Sequence, residues 1–135
     1  MHSARAFADQ YRQTRVTSAV LDADPHRIIA VMFTAARERT RLAAACVDRG
    51  DIARKGQAIA EASTIVSSLG GALDLERGGE IAQGLAALYD YIQRRLLEAN
   101  LRNDAVILAE VDDLLADIES AWSAIAPEGM PAGSP

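Results

Sequence analysis

Apolar residues recur every three or four positions through most of this chain, a spacing that predicts helices rather than strands. Four stripes stand out. The first steps through Ile28, Ile29, Met32, Ala36, Ala43 and Val47, and the second through Ile52, Ile59, Ala62, Val66, Leu69 and Leu73. The third follows Ile81, Leu85, Leu88, Ile92, Leu96 and Ala99, and the fourth Leu108, Val111, Leu115, Ile118, Trp122 and Ile125. Boundaries fall where helix chemistry puts them. Asp24 is a capping residue with Pro25 at the first helical position, and Gly50 is a C-terminal stop. Asp51 caps the second segment, which weakens at Gly70-Gly71. The third begins near "GGEIA" and runs to about Asn100, and "LRND" links it to a fourth at 104–126. Short links make neighbours antiparallel, and four one-sided helices bury their stripes most simply together. The expected fold is all-α, an antiparallel up-down four-helix bundle over residues 23–126.

The two ends lack this periodicity. Residues 1–22 space Phe7, Tyr11, Val16, Val20 and Leu21 thinly among polar and basic residues, which predicts an arm packed on the bundle. Residues 127–135, rich in Pro, Gly and Ser, predict a disordered tail. Charge divides along the same lines. Residues 1–20 hold Arg5, Arg12 and Arg15 against Asp9, while residues 104–126 hold six acids and no Lys or Arg. Opposite charges can steer the arm onto the bundle, although screening keeps such pairs weak.

Composition narrows the function more than it names it. The chain has 135 residues, half of them hydrophobic, which is enough for one real core. A formal charge of −5 argues against a nucleic-acid partner. The single cysteine, Cys46, fits a reducing compartment, and no segment resembles a signal peptide or reaches membrane-spanning length. A cytoplasmic protein without membrane insertion is expected. Chemistry is sparse: His2 and His26 lack partners at helical spacing, and there is no Glu-x-x-His pair, Cys-x-x-Cys or phosphate-binding glycine loop. The acids Glu110, Asp112, Asp113, Asp117 and Glu119 read as a solvated face of the fourth helix. Cys46 continues the first stripe and reads as a small core residue. No enzyme, cofactor or metal site is expected.

Partner surfaces are a different matter. In "LYDYIQRRLLEAN" the two tyrosines cannot face one core, since residues two apart point about 200° from each other. The angle count puts Tyr89 about 60° from the centre of its stripe and Tyr91 about 100° away on the other side. Tyr89 leans into the core edge. Tyr91 lies on a second strip with Gly84 and Ala87, continued by Arg95 and Glu98, where small residues beside an aromatic make a shallow groove for a foreign segment. The other reading is that Tyr91 flanks a neighbouring helix of the same bundle. On the fourth helix, Ile107, Leu114 and Ala121 form a shoulder that widens the apolar face to about 140°, which suits either a central helix or a partner groove. Arg39, near the middle of the first stripe, reads as a rim arginine with its stem packed and its head in water; a buried pair with the acidic fourth helix is the alternative.

The runs "SAVLDADPHRII", "RGGEIA", "LYDYIQRRLLEANLRND" and "AEVDDLLADIESAWSAI" resemble the flagellar secretion chaperone FliS family, from about Tyr11 to Ile125. That resemblance implies a bundle that binds the disordered C-terminal segment of flagellin in apolar grooves and prevents its premature assembly. It further implies delivery to the flagellar export apparatus as a chaperone–client complex, and an N-terminal arm, with Tyr11 at its tyrosine position, that covers one groove and moves aside. Family members commonly carry an aromatic followed by Asp-Gly where this chain reads Phe33-Thr34-Ala35. The competing readings are a self-associating bundle without a client, dimeric when free, and a small-molecule or metal-binding bundle. The partner-binding residues expected here are Tyr11, Val16, Val20, Gly84, Ala87, Tyr91, Ile107, Leu114 and Ala121.

Overall fold

A computed structural model describes residues 24–125, which form four helices. They are α1 (Pro25–Arg49), α2 (Ile52–Gly71), α3 (Leu75–Arg102) and α4 (Ala105–Ala124). Local sequence explains where each begins. Every helix is preceded by an aspartate whose carboxylate accepts an N–H of the first turn: Asp24 from Arg27, Asp51 from Arg54, Asp74 from Arg77, and Asp104 from Val106 and Ile107. These bonds satisfy donors that a helix start leaves unpaired.

Two of the connections share one design. Gly50 (φ 75) ends α1 in the left-handed conformation, and the next N–H, of Asp51, returns 2.9 Å to the Cys46 carbonyl. Asn103 (φ 51) ends α3 the same way, with the Asp104 N–H 3.1 Å from the Ala99 carbonyl. Each turn thus closes one helix and caps the next within two residues. The connection between α2 and α3 is looser. Gly79 takes φ 54, ψ −131 inside α3, a conformation open only to glycine in practice, and breaks Leu75–Gly78 from the rest of the helix. The third helix therefore starts earlier than its periodicity suggests, as an extra capped turn.

The helices pack in a ring. α1 lies against α2 and α4, α3 lies against the same two, and the diagonal pairs do not meet. The shared core holds Phe33, Ala36 and Ala43 of α1 with Ala62, Val66 and Leu69 of α2. Tyr89, Ile92 and Leu96 of α3 meet Leu108, Val111 and Leu115 of α4 in the same core. Thr40 is fully buried and its hydroxyl donates to the Ala36 carbonyl, while Cys46 is buried as a small apolar group. Lys55, 3% exposed, caps the C-terminal end of α3 by donating to the Asn100 carbonyl at 2.8 Å.

Three stripe residues do not reach this core. Ile81 is 78% exposed although its helical phase is right, while the next residue, Ala82, is 4% exposed and carries that turn's burial. Ile52 and Ile125 are exposed at the first turn of α2 and just past the end of α4. Tyr89 goes deeper than the core edge. It is 6% exposed, with its ring against Gly70 of α2, and burial pushes its phenol up to about 12.

Candidate functional site

Helix α4 sits between α1 and α3, so it has two outer seams. Their chemistry differs. On the α1 side, Arg37 reaches Asp112 and Glu119, each at 2.8 Å, and Thr34 donates to the other oxygen of Glu119 at 2.9 Å. Both carboxylates raise the Arg37 guanidinium above its ordinary pKa, the Asp112 hydrogen bond most. At one end of the seam the His26 and Trp122 rings stack with centroids 4.4 Å apart. The pair is tied reciprocally. His26 Nε2 lies 2.7 Å from the Trp122 carbonyl, which can only accept, so that nitrogen carries the proton; Trp122 Nε1 donates to the His26 carbonyl at 2.9 Å.

On the α3 side, the polar fastening is local. Tyr91 Oη donates to Glu110 Oε2 at 2.6 Å, and Arg95 Nε donates to the other carboxylate oxygen at 2.8 Å. Arg95 also bonds Glu98, which in turn takes Arg102. The Tyr91 and Arg95 hydrogen bonds together hold Glu110 below the usual carboxylate range, and that same carboxylate raises Tyr91. Arg94 pairs with Asp90 and lies 6.0 Å from the Tyr91 ring centroid, over its face. Tyr91 therefore flanks a neighbouring helix of its own bundle, with its ring half-buried.

Beyond that anchor the seam is lined by small residues. The helices run antiparallel, so stepping back along α3 from Tyr91 to Ala87 and Gly84 means stepping forward along α4 from Glu110 to Leu114 and Ala121. Gly84, Ala87 and Ala121 are all exposed, and a Cβ added at Gly84 would meet no atom within 4 Å. Leu88 and Leu114, half-buried and packed on the core, form the floor. Leu88 and Leu114 thus floor a candidate trough, with the Tyr91–Arg95–Glu110 cluster at one end and, among the described residues, no other side-chain hydrogen bond or ion pair across the seam. Ile107 is not part of its surface: at 5% exposure it belongs to the core.

The strip expected on the third helix (Gly84, Ala87, Tyr91) and the shoulder expected on the fourth (Leu114, Ala121) face the same seam, while Ile107 of that shoulder is buried. Tyr11, Val16 and Val20 lie outside the described residues. The acids of α4 divide: Asp113 and Asp117 are exposed, whereas Glu110, Asp112 and Glu119 hold the two seams and are not a solvated face. Arg39 is the rim arginine expected, but it pairs with Glu61 of α2 rather than with α4. The His26–Trp122 tie and the Tyr91–Glu110 bond escaped notice because each joins helices whose relative register no local pattern records. No helix among the described residues is long and apolar enough to cross a membrane.

The ring defines an all-α four-helix bundle. Comparison with known proteins says which kind. The family model described as "Flagellar protein FliS" matches residues 7–129. The chain is 45% identical over 119 residues to the "Flagellar secretion chaperone FliS" of Salmonella typhimurium, covering 87% of this chain and 88% of that protein. It is 42% identical over 125 residues to "Flagellar secretion chaperone FliSB" of Pseudomonas aeruginosa, covering 93% and 98%. Identity to the Bacillus subtilis "Flagellar secretion chaperone FliS" is 32% over 112 residues, covering 83% and 80%. The chain belongs to the FliS family of flagellar secretion chaperones. Thr34 spends its hydroxyl on Glu119, and Phe33 before it is buried in the core.

Proposed function

We propose that this chain is a cytoplasmic chaperone that holds the disordered C-terminal segment of flagellin in apolar grooves. It prevents premature polymerisation and brings the client to the flagellar export apparatus as a complex. The observation that carries this reading is the α3–α4 seam, where Gly84, Ala87 and Ala121 leave Leu88 and Leu114 open beside Tyr91. A segment that folds on binding loses conformational entropy, so it needs a long apolar contact rather than one deep pocket. A trough floored by leucines and walled by small residues accepts a helix at close range and supplies that contact. Nothing in this scheme requires a nucleotide, a cofactor or catalysis.

Residues 1–22 are the first occupant of the trough in this scheme. His26, in the first turn of α1, stacks on Trp122, the residue after Ala121, so the chain preceding α1 leaves near the end of α4 that carries Ala121. Tyr11, Val16 and Val20 are the side chains with apolar surface to lay there, and the client displaces them.

A synthetic flagellin C-terminal peptide tests both steps. It is expected to form a one-to-one complex and to gain helicity by circular dichroism. Gly84→Phe fills the trough while its Cβ points into open space, so peptide affinity falls about tenfold or more at nearly unchanged melting temperature. Tyr91→Ala weakens peptide binding more than it weakens the fold. Deleting residues 1–15 raises affinity. Absence of binding at micromolar concentration, or full affinity in Gly84→Phe, overturns the reading; peptide-insensitive dimers would favour a self-associating bundle instead.

A further inference from the structure

A second cleft lies between α1 and α2, across the ring from the α3–α4 seam. It measures about 190 Å³ and is lined by Arg39 and Leu42 of α1 and by Arg54, Gln57, Ala58 and Glu61 of α2. Arg39 pairs with Glu61 through Nε at 2.9 Å, and both side chains remain more than 40% exposed, at 42% and 44%. Such a pair is weak and exchangeable in water. Arg54 gives its backbone N–H to the Asp51 cap, while its guanidinium makes no ion pair among the described residues.

The lining itself carries two guanidinium groups against one carboxylate, in a chain whose net charge is −5. A basic cleft on an acidic protein selects a compact acidic ligand, because a long polyanion is repelled by the rest of the surface. Guanidinium groups present paired N–H donors that match a carboxylate, which favours a carboxylate over a diffuse anion. Leu42 and Ala58 add apolar wall, and the Gln57 amide can bond a peptide backbone.

We propose that the α1–α2 cleft docks an acidic segment of a partner protein, with Arg39 and Arg54 taking a carboxylate and Leu42 an apolar neighbour of it. This site is separate from the proposed flagellin trough, and the two can be filled together. Docking exchanges the internal Glu61 carboxylate for an external one on Arg39, so Glu61 sets the threshold for binding.

Fluorescence anisotropy with a labelled peptide of Leu-Glu-Glu-Ser repeats, against the same peptide with Gln for every Glu, tests it on the full-length chain. The Glu peptide binds and the Gln peptide binds at least about tenfold more weakly. Arg54→Gln and Arg39→Gln each lower the affinity about threefold to tenfold with unchanged circular dichroism, and Glu61→Gln raises it about threefold. Equal binding of the two peptides, or an Arg54→Gln variant that binds as well as the parent, overturns the proposal. A concentration-dependent dimer abolished by Arg54→Gln also overturns it, assigning the cleft to a second copy whose exposed Asp113 and Asp117 carry the same chemistry.

Discussion

The two seams of α4 show how one helix is fastened along its length on one side and at a single cluster on the other. Toward α1, long side chains cross the seam: Arg37 bridges Asp112 and Glu119, Thr34 joins them, and the His26–Trp122 stack closes one end. Toward α3, one carboxylate gathers Tyr91 and Arg95, and beyond it no other side chain among the described residues is paired across the seam. Burial alone does not separate the two, since both rest on leucines of the same core. What separates them is side-chain length outside that core. The α1 seam is crossed by ion pairs along its length, whereas the α3 seam, among the described residues, has its one crossing ion pair at the Glu110 end.

The largest effects should come from breaking the closed seam. Trp122→Ala removes a stacked ring, a hydrogen bond and packing on the core, and is expected to cost about 3 kcal/mol in urea unfolding. Arg37→Ala leaves Asp112 and Glu119 without their shared cation, at a cost of about 1–2 kcal/mol, since the three side chains are partly buried. Neither change touches the trough, so binding of the flagellin peptide per folded molecule should stay as it was. A parallel loss of affinity would mean that the seams are coupled. Substitution on the open side has the opposite sign: Gly84→Ala should raise stability by about 0.5–1 kcal/mol, because the site is helical and has room for a methyl group.

The smallest predicted effect is titration, and here the open seam and the core part company. Glu110 is held below its ordinary value, so its contribution is complete above the pKa of the unfolded chain and is lost as pH falls through the lower folded value. Glu110→Gln should therefore flatten part of the acid limb of a stability profile. Tyr89 runs the other way. Its phenol is raised by burial from 10.0 to about 12, so its contribution is complete below pH 10 and is lost as pH climbs through that interval. Tyr89→Phe should remove that alkaline loss, whereas Tyr91→Phe should reduce both the Tyr91 share of alkaline sensitivity and the hold on Glu110.

Much of the fold could be read from the chain because its determinants are local. Asp24, Asp51 and Asp104 announce helix starts, Gly50 announces a stop, and the phase of Ile92, Leu96 and Ala99 points to the core without knowledge of neighbours. Phase failed at single positions. Ile81 has the stripe's angle yet is exposed beside a buried Ala82, while Ile107 has an edge angle yet is buried. Site chemistry was legible only as far as one helix. Gly84, Ala87 and Tyr91 share a strip on any helix that contains them, but the partners of Glu110, Asp112 and Glu119 depend on how helices slide past each other, which no single periodicity encodes.

The His26–Trp122 tie has a consequence for the order of assembly. Every other seam joins helices that follow one another in the chain, so each can form as soon as a hairpin is made. The α1–α4 seam joins residues 96 positions apart, and the ring cannot close until nearly all of the chain has been synthesised. Until α4 arrives, the apolar face of α1 lacks one of its two partners. The chain that serves as a chaperone is itself, during its own translation, an open hydrophobic surface.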